Sequence, residues 1–251
     1  RFDGVPLKGG MVARYVCVNG EIYRKSFIEA GMPPEKVILT GSPDHDRLYE
    51  FRECLSDEDK SQIRAELNVS EKQPLITLFA QPFTERILPG IGNYADELLW
   101  ITQQIAAIAS EAVLVIKLHP NQRLEDFAAL NTLPHVRVMG SEGGEAFNIR
   151  LTYASDLVIL RTSTAGYLAL ALDVPLMTYA FYGHPGEDYF KDVGGSWHVQ
   201  NRETFSEGIK TLLSDDAARH DLLEKQRRVR EEHMLLDGQC CARIGAVLRD
   251  G

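Results

Sequence analysis

Little in this sequence marks it for a membrane, a metal or a nucleic acid. Only four of the 251 residues are cysteine (Cys17, Cys54, Cys240 and Cys241), and none of them form a CxxC. Neither a zinc knuckle nor a disulfide framework is signalled, and the set fits a reducing, cytosolic environment. No apolar run approaches the roughly 20 residues needed to span a bilayer. Positive charge is in deficit: 27 basic residues face 36 acidic ones, for a net charge of −9. That argues against a general nucleic-acid or anionic-membrane surface, yet leaves room for a local basic pocket around a phosphorylated ligand. His45, His135, His198, His220 and His233 are scattered without ligand spacing, so no metal is expected. No GxxxxGK[ST] occurs, and the run GSEGGE at 140–145 lacks GxGxxG spacing, so P-loop and dinucleotide signals are weak. The basic stretch Lys225 to Arg230 runs into Glu231 and Glu232 and reads as a solvated helix face.

What is present is the composition of an ordinary globule, 44% hydrophobic and 25% charged, able to bury a core. The chain opens on Arg1 in a loop-like RFDGVPLKGG, so further residues are expected to precede it. Strand (13–18), amphipathic helix closed by Gly31, and strand (36–40) then suggest a parallel crossover. A charged helical region follows, with Ser56 as a helix cap. Apolar runs at 74–80, 112–118, 136–139, 157–160 and 175–179 read as buried strands. Between them lie helical patterns at 95–110, 122–130, 145–154 and 165–172, and the remainder reads as a polar loop and C-terminal helices. Regular alternation of this kind predicts an α/β fold with a doubly wound, Rossmann-like parallel sheet.

In such a sheet, ligands sit beyond the carboxyl ends of the strands. The segment Arg161-Thr162-Ser163-Thr164-Ala165-Gly166 crosses from strand to helix with three hydroxyl residues. It reads equally as a phosphate site or as plain helix capping. His119, at a strand tip with Lys117 two residues back, reads equally as a donor to a diphosphate or as a structural histidine beside Pro120. Lys117 itself reads as a solvated or edge residue. Backbone groups of Val138, Met139, Gly140 and Ser141 suit a base edge approaching a glycine-rich loop, or else line a flexible turn. Glu187 and Asp188, in the loop from Gly183 to Tyr189, could hold ribose or donor-sugar hydroxyls, or lie in an exposed turn.

Taken together, several segments carry a resemblance. Residues 13–48, ARYVCVNGEIYRKSFIEAGMPPEKVILTGSPDHDRL, resemble the crossover between the two Rossmann-like domains of GT-B glycosyltransferases. KLHP at 117–120, Thr162-Ser163-Thr164, ALDVPLMTY at 171–179 and Leu236-Asp237-Gly238 extend the likeness. The set looks most like bacterial surface-polysaccharide enzymes, namely capsule glycosyltransferases of the polysialyltransferase kind and CDP-glycerol glycerophosphotransferases. The resemblance implies that residues 1–40 end an N-terminal domain and residues 41–251 form a nucleotide-donor-binding domain. It also implies a role for His119, Ser163 and Thr164 on the donor phosphates. The reaction implied is transfer of a sugar or polyol phosphate from a nucleotide-sugar or CDP-linked donor to a glycan acceptor. It would run without metal or cofactor, in the cytoplasm and at the inner face of the membrane, with the acceptor's base outside this chain. A second relative, UDP-N-acetylglucosamine 2-epimerase, typically has glutamates where this chain has Tyr167 and Leu168, which favours the transferase. A non-catalytic nucleotide-sugar-binding module is the third reading.

Overall fold

The computed structural model describes residues 13–82, 90, 92–183 and 189–250. Two compact units make up the chain, Arg1–Cys54 with Arg228–Gly251, and Leu55–Arg227. In the first, β1 (Val16–Val18), α1 (Glu21–Glu29) and β2 (Val37–Leu39) form the expected crossover, and α2 (Pro43–Cys54) follows. The two strands are parallel, with Val16 opposite Val37. Helix α1 stops because Gly31 takes a φ of +96°. That turn lets the Met32 N–H reach the Phe27 carbonyl at 3.1 Å and the Gly31 N–H reach Ile28 at 2.9 Å, a Schellman closure. Met32 is thereby delivered into a small core with Val18 and Val37.

The larger unit opens with α3 (Asp57–Glu66), whose start is fixed locally. Ser56 accepts the Asp59 N–H, and the Asp59 carboxylate accepts the Ser56 N–H at 3.0 Å, a reciprocal cap. The chain then alternates β3 (Leu75–Phe79), α4 (Tyr94–Ile108), β4 (Val113–Lys117), the 3-10 segment Leu124–Thr132, β5 (Val136–Met139), α5 (Gly144–Ala154), β6 (Leu157–Leu160), α6 (Gly166–Ala171), β7 (Leu176–Tyr179), α7 (Tyr189–Asp192), β8 (Trp197–Val199) and α8 (Phe205–Ser214). Two of these differ from the sequence reading. Residues 122–130 were expected as a helix and form the 3-10 segment, and β8 lies where only loop and helices were expected. Trp197 and His198 are half-exposed on a three-residue strand, so no apolar run betrays it.

All pairings in this sheet are parallel, in the order β5-β4-β3-β6-β7-β8. Side chains alternate across it. Ile76 and Leu78 face one layer with Leu98, Ile101 and Ile105 of α4 and Ile209 of α8. Leu75, Val113 and Val115 face the other with Ile63 of α3 and Leu151 and Ala154 of α5. Each such fully buried aliphatic side chain contributes about 1.5–3 kcal/mol. Arg64, 5% exposed, staples this second layer. It donates to the carbonyls of Ala154 at 3.0 Å, Ser70 at 3.1 Å and Gln73, and to the Asp156 carboxylate at 3.2 Å. The strand order reverses direction between β3 and β6. Consecutive strands run outward on either side of that boundary, leaving a crevice at their carboxyl ends, and such a switch point is where open α/β sheets take ligands.

Helix α9 (Asp216–His233) carries residues of both units, and α10 (Cys240–Asp250) ends the chain. Within the first unit, the Asp46 carboxylate of α2 caps α10, accepting the N–H groups of Cys240 at 2.8 Å and Cys241 at 2.7 Å. Arg243 also donates to the Thr40 carbonyl at 2.9 Å. Residues 13–54 and the C-terminal segment from Arg228 thus lie in one compact unit. Burial alone would raise the Asp46 carboxyl, but the N–H groups of Cys241 and Cys240 outweigh it and hold it at about 2. A depressed carboxylate stabilises the fold above its ordinary value and loses that contribution as pH falls through about 2. Asp46→Asn should therefore cost about 1–2 kcal/mol near neutral pH. In urea unfolding, the gap to the wild type should narrow as pH falls from about 4 toward 2; a gap that does not change with pH would contradict the capping role.

Candidate functional site

Beyond β4 the chain turns sharply, and the turn is tied down by amide side chains. The His119 N–H donates to Gln122 Oε1 at 2.8 Å, and the Asn121 N–H donates to His119 Nδ1 at 3.1 Å. Because Nδ1 accepts, the neutral ring carries its proton on Nε2. Gln122 Nε2 then donates to the Gln81 carbonyl at 3.0 Å, just past β3. Gln81 Oε1 in turn accepts the Thr162 N–H at 2.9 Å, just past β6. Three hydrogen bonds thus connect His119 to Thr162 across the switch point, two residues that sequence reasoning had proposed separately.

Thr162, Ser163 and Thr164 form a tight turn ahead of the six-residue α6. Ser163 Oγ accepts the Ala165 N–H at 3.2 Å, while Gly166 and Tyr167 donate their N–H groups to the carbonyls of Ser163 and Thr164, each at 3.0 Å. The N–H groups of 165–167 are therefore spent within the turn. What the segment can offer a ligand is chiefly its hydroxyls, with Thr164 exposed and Thr162 and Ser163 half-buried. A Cβ on Gly166 would come within 2.4 Å of the Phe190 ring, so glycine is what lets α6 start here.

At the neighbouring strand tip, most of the 138–141 backbone is likewise engaged. The Val138 N–H donates to Asn131 Oδ1 at 3.1 Å, and the Met139 carbonyl accepts Leu118 at 2.8 Å. The Gly140 carbonyl accepts Lys117 Nζ, and the Ser141 carbonyl accepts the Gly144 N–H at 3.4 Å. Lys117 is not a solvated or edge residue. It is 4% exposed on an inner strand, where it also donates to the Glu142 carbonyl at 3.2 Å, and burial lowers its ammonium pKa. A lysine can be buried there because its donors meet two carbonyls.

Beneath the crevice lies a cluster that the sequence did not disclose. Arg161, 1% exposed, donates to the Glu97 carboxylate, and the Tyr179 hydroxyl donates to the same oxygen at 3.2 Å. The guanidinium lies 4.8 Å from the Tyr179 ring centre and 4.9 Å from that of Tyr182. Tyr94, whose hydroxyl accepts the Gln81 N–H at 3.3 Å, is pushed up to about 12, first by burial and then by Glu97. Arg161 is thus a buried counter-ion under the Thr162 turn, and Gln81 rests on the same cluster.

Glu187 and Asp188 lie outside the described residues. Next to that loop, the Tyr167 and Tyr189 hydroxyls are hydrogen-bonded to each other. Elsewhere, in the smaller unit, Asp46, Asp237 and Cys240 place ligand-type atoms within 4.8 Å. Their oxygens, however, already accept from the α10 N–H groups and from Arg243, so the group is a helix cap. No helix among the described residues is long and apolar enough to cross a membrane.

No family model and no curated protein matches the sequence. Solved structures do match the fold. A variant of the wall teichoic acid polymerase TagF soaked with CDPG aligns at a TM-score of 0.64 and 17% identity, over 94% of this chain and 57% of that one. UDP-GlcNAc 2-epimerase from Neisseria meningitidis, bound to UDP-GlcNAc, aligns at 0.69 and 16% identity, over 95% and 62%. S. aureus MnaA in its UDP co-structure aligns at 0.71 and 14% identity, over 94% and 60%. The chain therefore spans less than two thirds of the length of these proteins. Its fold is GT-B-like, similar to that of wall teichoic acid polymerase and of the UDP-GlcNAc 2-epimerases.

Proposed function

We propose that this chain is the nucleotide-donor-binding part of a metal-independent, glycosyltransferase-like enzyme. In this reading it transfers a sugar or polyol phosphate from an activated nucleotide to a surface or capsular polysaccharide. The observation that carries the reading is the hydrogen-bonded link between His119 and Thr162 across the β3–β6 switch point. It sets an imidazole N–H donor on one side of the crevice and the hydroxyls of Thr162, Ser163 and Thr164 on the other. Such N–H and O–H donors suit a diphosphate, whose departing charge they would stabilise without a metal. Of the earlier candidates, Gly140 and Ser141 stay assigned to the nucleotide through the N–H groups of their loop. Val138 and Met139 contribute by shaping the strand tip, and Glu187 and Asp188 to ribose or sugar. In this reading the enzyme works in the cytoplasm.

A second reading, sugar-nucleotide epimerisation, is supported by the UDP-GlcNAc 2-epimerases among the structures of like fold. Against it stand Tyr167 and Leu168 in place of carboxylates. Calorimetric titration with UDP, CDP, CMP and CMP-sialic acid is the direct test, with binding of one of them expected. Failure of all four would remove the donor-binding claim. Release of free nucleotide and a C2-inverted sugar with no acceptor present would replace transfer by epimerisation.

A further inference from the structure

Gln81, in the turn that follows β3, is the hub of the switch point. Its three polar groups in the frame are all committed: the N–H donates to Tyr94 Oη at 3.3 Å, the carbonyl accepts Gln122 at 3.0 Å, and Oε1 accepts the Thr162 N–H at 2.9 Å. Committing Oε1 fixes the planar amide, since the carboxamide group has one acceptor end and one donor end. The Nε2 end is then left with no acceptor among the described residues, on a half-buried side chain at the crevice. The same logic governs His119: its Nδ1 is occupied by the Asn121 N–H, so the neutral ring presents Nε2–H.

We propose that Gln81 is a ligand-binding residue at the β3–β6 switch point, and that Gln122 is a positioning residue for His119. Together they preset two N–H donors, Gln81 Nε2 and His119 Nε2, for the oxygens of a nucleoside diphosphate. The inference rests on the donor-binding reading for its ligand but not for its geometry. Each tie runs between different strand tips: Gln122 couples the β4 turn to β3, and Gln81 couples β3 to β6. A donor fixed before binding costs little ordering entropy when the ligand arrives. Arg161, next to Thr162 in the chain, is paired with Glu97 beneath the turn.

The first test needs no substitution. Long-range proton–nitrogen correlation on the ligand-free, nitrogen-15-labelled chain reads the tautomer of His119. A ring protonated on Nε2 is expected, and a ring protonated on Nδ1 overturns the frame. Gln122→Met should give a mixture of tautomers at His119 while far-ultraviolet dichroism stays unchanged; an unaltered tautomer removes the positioning role. The second test is titration with UDP and with CDP. Gln81→Glu keeps an acceptor for Thr162 but replaces the amide donor by a negative charge, and should weaken binding about 100-fold. Gln81→Met should weaken it about tenfold. Equal binding by wild type and Gln81→Glu overturns the role of Gln81 and leaves the donor-binding reading intact. If the wild type binds neither UDP nor CDP, and CMP and CMP-sialic acid also fail, that reading fails. The proposal then survives only if inorganic pyrophosphate binds in a manner that Gln81→Glu abolishes.

Discussion

Arg161→Ala should destabilise the Leu55–Arg227 unit by about 3–5 kcal/mol. The side chains of Arg161 and Glu97 are 0% and 1% exposed, so truncation leaves a carboxylate in the interior without its counter-ion. The Tyr179 hydroxyl, at 3.2 Å, would remain as a donor, but one neutral hydrogen bond is worth only about 1 kcal/mol. The guanidinium also fills the space between the rings of Tyr179 and Tyr182, so a cavity adds to the loss. Replacing both partners together separates the two effects. Arg161→Met combined with Glu97→Leu removes the buried charge along with its partner and should recover most of the stability, since a packed apolar pair often matches a buried ion pair. Urea unfolding of the two variants checks this. A single substitution within about 1 kcal/mol of wild type would show that Glu97 finds another partner or water. The Thr162 turn follows Arg161 directly and binds Gln81, so the single variant should also loosen the frame around His119.

The same cluster shows where sequence reasoning reached its limit. Strands β5 and β6 were legible to the residue because four successive β-prone residues between turn signals admit few alternatives. Ser56 was legible because a reciprocal helix cap is made within four residues. The ties that decide the site are of another kind. Glu97 reaches Arg161 across 64 positions, Gln81 reaches Thr162 across 81, and Arg64 reaches Asp156 across 92. No periodicity records such pairs, so Arg161 looked like part of an anion-binding segment and Lys117 like a solvated residue. In both cases the charge is buried because the partner arrives only with the tertiary fold. Strand β8 was missed for the opposite reason: at the sheet edge its half-exposed Trp197 and His198 leave too faint a pattern. The strand-tip rule did pick out the turns after β4 and β6, which the fold links by hydrogen bonds through Gln122 and Gln81, because it depends only on the strand order and on which turns follow. Which backbone groups remained usable at those tips, as at Val138 with Asn131, depended on side chains from other elements.

On the transfer reading proposed above, His119→Ala should lower transfer by about 10²–10³-fold, the usual loss when one preset donor to a developing negative charge is removed. The geometry also predicts that the fold will tolerate it. His119 holds its turn through its backbone N–H to Gln122, which alanine retains. The ring supplies only the acceptor for the Asn121 N–H, and Asn121 is exposed, so water can replace that bond at a cost of about 1 kcal/mol or less. A loss of transfer with an unchanged melting temperature is therefore the expected pair of results. His119→Asn, which keeps an uncharged N–H donor on a shorter arm, should restore part of the activity if donation is the function of the ring. It should restore none if a charged imidazolium is required. The assay needs nucleotide donor and glycan acceptor together, with release of free nucleotide followed in parallel without acceptor. Unchanged transfer by His119→Ala would remove His119 from the mechanism and leave the hydroxyls of Thr162, Ser163 and Thr164, with Gln81, to carry the phosphate alone.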